Sequence, residues 1–266
     1  MKLNMVDFLK TLIRDALETV RSGYYRHALN ESYASSPKTS LKKAIMECHH
    51  APVIAEIKPE SPSRGKLRQV VNSAEMARLI EAGGAVGISV LTEPKHFNGS
   101  LKRLAEVKEN TRLPILMKDI VVDPVQVEAA LRLGADAILL IYAVFKDNMI
   151  KYSLEEVIDL AHSLNLEVLL ETHTRGEFRS ALKTEADLIG INNRNIRTLK
   201  VDLNTTKRIL DKVDPNGRIV VSESGVEKAE DIRFLWKCGA RAFLVGSAVM
   251  LAEDIQGKIR ELVNAI

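Results

Sequence analysis

Glu56 and Lys58 stand two residues apart at the end of an apolar run, Ala51-Pro-Val-Ile-Ala-Glu-Ile-Lys58, which then breaks into Pro59-Glu-Ser-Pro-Ser-Arg-Gly65. Side chains alternate faces along a strand, so a carboxylate and an ammonium at this spacing point the same way. Such a pair at the mouth of a buried strand can hold a charged ligand or move protons. Other apolar runs end alike: Lys118-Asp119 follow Leu113–Met117, Glu171 follows Leu170, and Asn192-Asn193-Arg194 follow Leu188–Ile191. Taken singly, each group could be a structural salt bridge at a rim. Together, ionisable groups that are costly to desolvate point to one catalytic mouth.

Two more run ends suggest an anion. Ser222-Glu-Ser-Gly225 and Gly246-Ser247 place small residues where backbone N–H groups can be bared, and a nearby helix N-terminus adds positive potential. Either dipeptide alone could be an ordinary turn. Other candidates weigh less. His49-His50 precede the first run without metal-ligand spacing, and Trp236 reads as packing. His173 shares parity with Glu171, but Glu-x-His lacks the further ligands that a metal centre needs.

What positions these groups is an alternation of β-rich runs and amphipathic segments. The runs are Val53–Ile57, Val86–Leu91, Leu113–Met117, Ala137–Ile141, Glu167–Leu170, Leu188–Ile191, Arg218–Val221 and Ala242–Val245. Between them lie helical patterns such as Ala74–Glu81, Val125–Leu133, Leu154–Leu164 and Ala229–Lys237. Strands alternating with helices pair in parallel through crossovers. Four repeated helix ends, Gly83-Gly-Ala85, Gly134-Ala-Asp136, Glu185-Ala-Asp187 and Gly239-Ala-Arg241, imply eight βα units. The spacing predicts an α/β fold, a closed (β/α)8 barrel over residues 1–266, with residues 1–50 as an N-terminal helical extension. A doubly wound open sheet is the rival, but no G-x-G-x-x-G follows the first run. Residues 5–21 predict an amphipathic helix, either simple packing or a lid, and Ser40 is placed to cap a short helix from Leu41.

Composition narrows the function. At 266 residues and 46% hydrophobic, the chain can bury a large core. Its 38 Lys and Arg against 35 Asp and Glu leave +3, which argues against a nucleic-acid surface but not against a small anionic substrate. Two distant cysteines, Cys48 and Cys238, fit a reducing cytoplasm rather than a disulfide framework. No apolar stretch reaches the ~20 residues that span a bilayer, and Met1–Arg21 is too charged for a signal peptide.

Ile54-Ala-Glu-Ile-Lys58 with Ser61-Pro-Ser63, Ser89-Val-Leu-Thr92, Phe97-Asn-Gly99, Pro114-Ile-Leu-Met-Lys-Asp119, Gly190-Ile-Asn192 with Arg194, Glu223-Ser-Gly225 and Gly246-Ser247 form an ordered set. In that order the chain resembles indole-3-glycerol phosphate synthase. The resemblance implies a TIM-barrel carbon–carbon lyase of tryptophan biosynthesis, using no cofactor and no metal. It would convert 1-(2-carboxyphenylamino)-1-deoxyribulose 5-phosphate to indole-3-glycerol phosphate by ring closure, decarboxylation and dehydration. It further implies Lys118 as general acid, Glu171 as general base, and Glu56 and Asn192 as groups orienting the substrate hydroxyls and Lys118. Lys58 would supply charge beside phosphate and carboxylate. The phosphate cradle would be Ser224, Gly225, Gly246 and Ser247, with Glu223 also substrate-binding; Arg194 with Ser61 would take the anthranilate carboxylate; Phe97 and Leu139 would hold the ring. Ile120 stands where the family often has phenylalanine, and Pro59-Glu60 departs from its usual loop. The implied partner is a small phosphorylated substrate, with no nucleic acid or membrane; association with other tryptophan-pathway enzymes is compatible with this.

Two alternatives stand beside it. A phosphoribosylanthranilate isomerase-like barrel would need a cysteine and an aspartate at strand ends, and neither cysteine is placed there. A non-catalytic phosphate-ligand-binding barrel would have no use for a positioned acid and base.

Overall fold

A computed structural model describes residues 8–30, 38–61, 65–68, 72–196 and 198–266, with only the backbone of Asn30 and Ser61. Eight parallel strands close into a barrel: β1 (Val53–Ile57), β2 (Gly87–Leu91), β3 (Ile115–Lys118), β4 (Ala137–Ile141), β5 (Glu167–Thr172), β6 (Leu188–Asn192), β7 (Val220–Glu223) and β8 (Ala242–Val245). Each strand pairs with its neighbour in sequence, and β8 returns to β1 through Val53↔Phe243 and Ala55↔Val245. The predicted barrel is present, and the open-sheet rival is excluded by this closure.

Strand bounds differ from the sequence reading at several ends. β3 runs through Lys118, β5 through Thr172, β6 through Asn192 and β7 through Glu223. Period-two hydrophobicity marks where a strand is buried, and it fades where polar side chains turn into the mouth although the ladder continues. At the helix ends, Gly84 rather than Gly83 takes positive φ, at 91°, joined by Gly134 at 83° and Gly239 at 108°.

Burial on both faces explains why the strands are nearly all apolar. One parity, including Ile54, Leu116, Leu139, Leu169, Leu188, Val221 and Leu244, packs together inside the barrel. The other, including Ala55, Met117, Leu140, Leu170, Ile191 and Val245, packs beneath the helices. Further along the same parity, two residues on for Glu56, Lys118, Glu171 and Glu223 and four for Asn192, the strands deliver these groups to the C-terminal mouth.

Three helices precede β1: α1 (Phe8–Arg21), α2 (Tyr24–Asn30) and α3 (Leu41–Met46). The predicted first helix is found from Phe8; Met5 to Asp7 lie outside the described residues, as do residues 31–37 of the polar stretch. The Ser40 cap is present, its hydroxyl accepting from Lys43 N at 2.9 Å. α3 closes the N-terminal end of the barrel. Leu41 packs so near Gly87 that a Cβ there would lie 2.7 Å from Leu41 Cδ1. Ser40 Oγ donates to Glu167 at the start of β5. Beside it, Asp136 accepts from Thr39 N at 2.8 Å, from Ile115 N at 2.9 Å and from buried Lys108 Nζ at 2.7 Å.

One carboxylate thus joins the extension, β3 and the helix before β3. Breaking a buried ion pair from one side leaves an uncompensated charge. Asp136→Ala is expected to lower unfolding free energy by about 3–5 kcal/mol in urea titration. Adding Lys108→Met should recover part of that loss, and a single-variant loss below about 1 kcal/mol would contradict this role.

Candidate active site

The C-terminal mouth opens into a cavity of about 220 Å³. Its lining includes Glu56, Lys58, Phe97, Lys118, Leu139, Glu171, Asn192, Arg194, Glu223, Ser224, Gly225, Gly246 and Ser247. The Ser61 side chain, the proposed partner of Arg194, lies outside what is described; its backbone pairs with Gly65 in a short ribbon.

Lys118 is the hub. Its Nζ donates to Glu171 Oε2 at 3.2 Å and Glu223 Oε2 at 3.1 Å. Burial disfavours the ammonium, but the carboxylates of Glu223, Glu171 and Glu56 outweigh burial and hold its pKa above the ordinary lysine value. For Glu171, burial favours the neutral acid, yet Lys118, His173 and a hydrogen bond from Asn192 keep its carboxyl well below the usual range. Glu223 goes the other way. Burial, together with the charge of Glu171 and a hydrogen bond shared with it, overcomes Lys118 and pushes Glu223 up to about 8. Charge count gives the reason: three carboxylates face two ammoniums, so one carboxyl retains a proton.

The second ammonium, Lys58, lies 2.6 Å from Glu56 Oε1. Both press on Gly246: a Cβ there would sit 2.3 Å from Glu56 Oε1 and 2.9 Å from Lys58 Nζ. Gly190 is held small likewise, since its Cβ would meet Glu223 Oε1 at 2.2 Å. These two glycines make room for the carboxylates. On the anion side, Ser224 and Gly225 adopt positive φ, 65° and 93°, and Gly246 caps the short helix α11 (Ser247–Leu251). Left-handed residues and a helix start are both backbone arrangements that can present N–H groups to an anion. Arg194, whose Nη1 donates to the Leu199 carbonyl at 3.0 Å, stands on the β6 loop at the cavity wall.

Several site features escaped the sequence reading. Phe8 and Leu12 of α1 line the cavity. Asp15 to His96 at 2.8 Å and Glu18 to Lys95 at 2.8 Å fasten this helix to the loop after β2. Glu93 shapes that loop by accepting from the N–H groups of Lys95, His96 and Phe97, aiming Phe97 at the cavity. Asp119 faces away from Lys118 and accepts from Tyr25 Oη at 2.9 Å and from Thr92, tying α2 to the ends of β2 and β3. The links from α1 and α2 cross 77 to 94 positions, and Thr92 to Asp119 crosses 27, so no local pattern announces them. Ile120 lies at the cavity edge, 5% exposed. No group of three or more His, Cys, Asp or Glu among the described residues could hold a metal ion; His173 instead contacts Glu171 and Glu177.

Glu223 makes stability depend on pH. A carboxyl whose folded pKa exceeds its unfolded value contributes stability in full below about pH 4.5 and loses it as pH rises toward 8. Urea titrations at pH 5, 7 and 9 should therefore show wild type falling relative to Glu223→Gln up to about pH 8, then levelling. A difference that stays flat or rises would contradict the assignment.

The comparisons with known proteins agree with this geometry. The family model for indole-3-glycerol phosphate synthase matches residues 9–262. The indole-3-glycerol phosphate synthase of Methanocaldococcus jannaschii is 39% identical over 254 residues, covering 94% of this chain and 92% of its own. That of Aquifex aeolicus is 41% identical over 224 residues, covering 84% and 85%. Among solved structures, a thiamine phosphate pyrophosphorylase from Pyrococcus furiosus superposes with a TM-score of 0.60 at 22% identity, over 85% of this chain and 97% of its own, and shares the fold alone. A family model spanning nearly all described elements, with full-length relatives near 40% identity, is decisive: the chain belongs to the indole-3-glycerol phosphate synthase family.

Proposed function

We propose that this protein converts 1-(2-carboxyphenylamino)-1-deoxyribulose 5-phosphate to indole-3-glycerol phosphate, with Lys118 as general acid and Glu171 as general base. The observation that carries the reading is the ammonium of Lys118 seated between the carboxylates of Glu171 and Glu223 within one cavity. Ring closure requires a proton on the ketone oxygen while the aromatic carbon attacks. Lys118, held as an ammonium by its neighbours, supplies it from a rigid strand end. Expulsion of carbon dioxide restores the aromatic ring. The new hydroxyl then leaves as water while Glu171, held ionised, removes a proton beside the ring.

Binding follows the same layout. The phosphate sits against Ser224, Gly225, Gly246 and Ser247, with the Lys58 ammonium alongside. Arg194 faces the anthranilate carboxylate with its planar fork, and Ser61 is its proposed hydroxyl partner. Phe97 and Leu139 enclose the aromatic ring, with Phe8, Leu12 and Ile120 completing an apolar wall. Glu56 orients Lys58, and Asn192 orients Glu171. Folding a flexible open-chain substrate against these fixed groups is a large part of the catalysis. The isomerase reading loses support because Cys48 and Cys238 do not line the cavity. Both thiols are free, in keeping with a cytoplasmic reaction, where a complex with other enzymes of the pathway is compatible with the fold. Among the described residues, no helix is long and apolar enough to cross a membrane.

Lys118→Ala should lower turnover by about 10³-fold or more, read as growth of indole fluorescence from the open-chain substrate, with the fold retained in circular dichroism. Near-normal turnover would remove the acid assignment. For Glu171→Gln, rapid quench should trap a decarboxylated, hydroxylated intermediate, because dehydration slows more than closure. Full activity with nothing accumulating would place the base elsewhere.

A further inference from the structure

His173 is the inner-parity residue two beyond Glu171, where β5 gives way to α8 (Arg175–Ala181). Its ring is buried, 7% exposed, with Nε2 3.2 Å from Glu171 Oε1. The opposite oxygen, Oε2, is the one on Lys118. Nδ1 is buried without a hydrogen-bond partner, and Glu177 Oε2 stands 3.8 Å from it. His173 also separates two spaces. On one side is the catalytic cavity; on the other is a polar cleft lined by Thr174, Arg175, Asn195, Thr205 and Arg208. Asn192 shares the wall.

Proton accounting shows what such a wall residue could do, on the reading of function given above. The ketone oxygen gains one proton on closure and a second when it leaves as water. One proton is recovered from the substrate by Glu171, and the carboxylate leaves as carbon dioxide without one. Each turnover therefore consumes one proton from solvent, while the acid that delivers it is enclosed. We propose that His173 is a positioning and relay residue, passing that proton from the partly exposed Glu177 carboxyl to Glu171 and so to Lys118. Nδ1, itself shut off from water, takes a proton from the partly exposed Glu177 carboxyl 3.8 Å away, which regains it from solvent; Nε2–H gives one to Glu171 Oε1, and the Glu171 carboxyl turns to hand that proton to Lys118 Nζ. The imidazole returns to its starting state with its tautomer reset by rotation. The charged groups facing the ring are Glu171 on β5 and Glu177 on α8, with Arg175 and Arg208 across the cleft.

His173→Gln preserves an N–H donor toward Glu171 but cannot ionise; His173→Ala opens the wall. Expected are a KM within about twofold of wild type for His173→Gln, a kcat lowered about tenfold, and a deficit that widens as pH rises and solvent protons become scarce. In His173→Ala, added imidazole should restore kcat severalfold without changing the far-ultraviolet spectrum. Wild-type kcat and pH profile in His173→Gln would overturn the relay, as would a His173→Ala defect repaired by the Gln side chain but not by imidazole. Nitrogen-15 NMR gives a readout independent of turnover. The His173 ring signals, identified by their loss in His173→Gln, should move in Glu171→Gln, and unmoved signals would overturn the relay. If wild type fails to convert the substrate while those signals move, the function reading falls and the His173–Glu171 proton link stands.

Discussion

The ammonium of Lys118 between two buried carboxylates is the interaction on which the rest of the mouth depends. Three charges in an enclosed space are tolerable only at close range and in balance, and the balance sets each group's protonation. The cation keeps Glu171 ionised, Glu223 sheds the surplus negative charge by holding a proton, and the acidic groups around Lys118 keep it protonated. A free lysine and a free glutamate would hold no such division of states. Lys118 is held charged and Glu171 bare because each is the other's counter-ion.

That arrangement constrains the backbone. Carboxylates from β1, β5 and β7 and the ammonium from β3 share an end because inner-parity positions of a closed parallel barrel point inward. Their bulk is accommodated by absent side chains, at Gly190 beside Glu223 and at Gly246 beside Glu56 and Lys58. At the opposite end, Asp136 and Leu41 fix α3 across the barrel floor and take no part in the cavity. Charge that could destabilise is thereby kept at one end, and the other end is closed by packing and paired polar groups.

Much of this was legible in the sequence because it follows from a period of two. Glu56 and Lys58, and Glu171 and His173, announce their common direction by spacing alone, and the positions of Lys118 and Asn192 follow from the apolar runs before them. The repeat of glycine-bearing helix ends yields the strand number. What the pattern cannot carry is the pairing of groups distant in the chain. Glu223 reads as a neighbour of a phosphate loop, yet it shares Lys118 across 105 positions. Asp119 follows Lys118 directly and faces the other way, so its partner Tyr25 lies in a helix with no strand periodicity to betray it. Phe8 and Leu12 sit on the apolar face of α1, and sidedness alone says nothing of which surface that face covers. Strand ends slipped for the same reason: polar inward residues interrupt hydrophobic alternation without interrupting the ladder.

Gly246 touches two kinds of machinery at once. It begins α11, against which the phosphate is proposed to rest, and it lies in van der Waals range of the Glu56–Lys58 pair. An anion docking there adds a third charge to that pair and cannot leave the lysine's electrostatic surroundings as they were. On that proposal the phosphate would be more than a handle. A dephosphorylated analogue would lose part of the field at the reacting carbons along with its grip, so its penalty would fall on kcat as well as on KM.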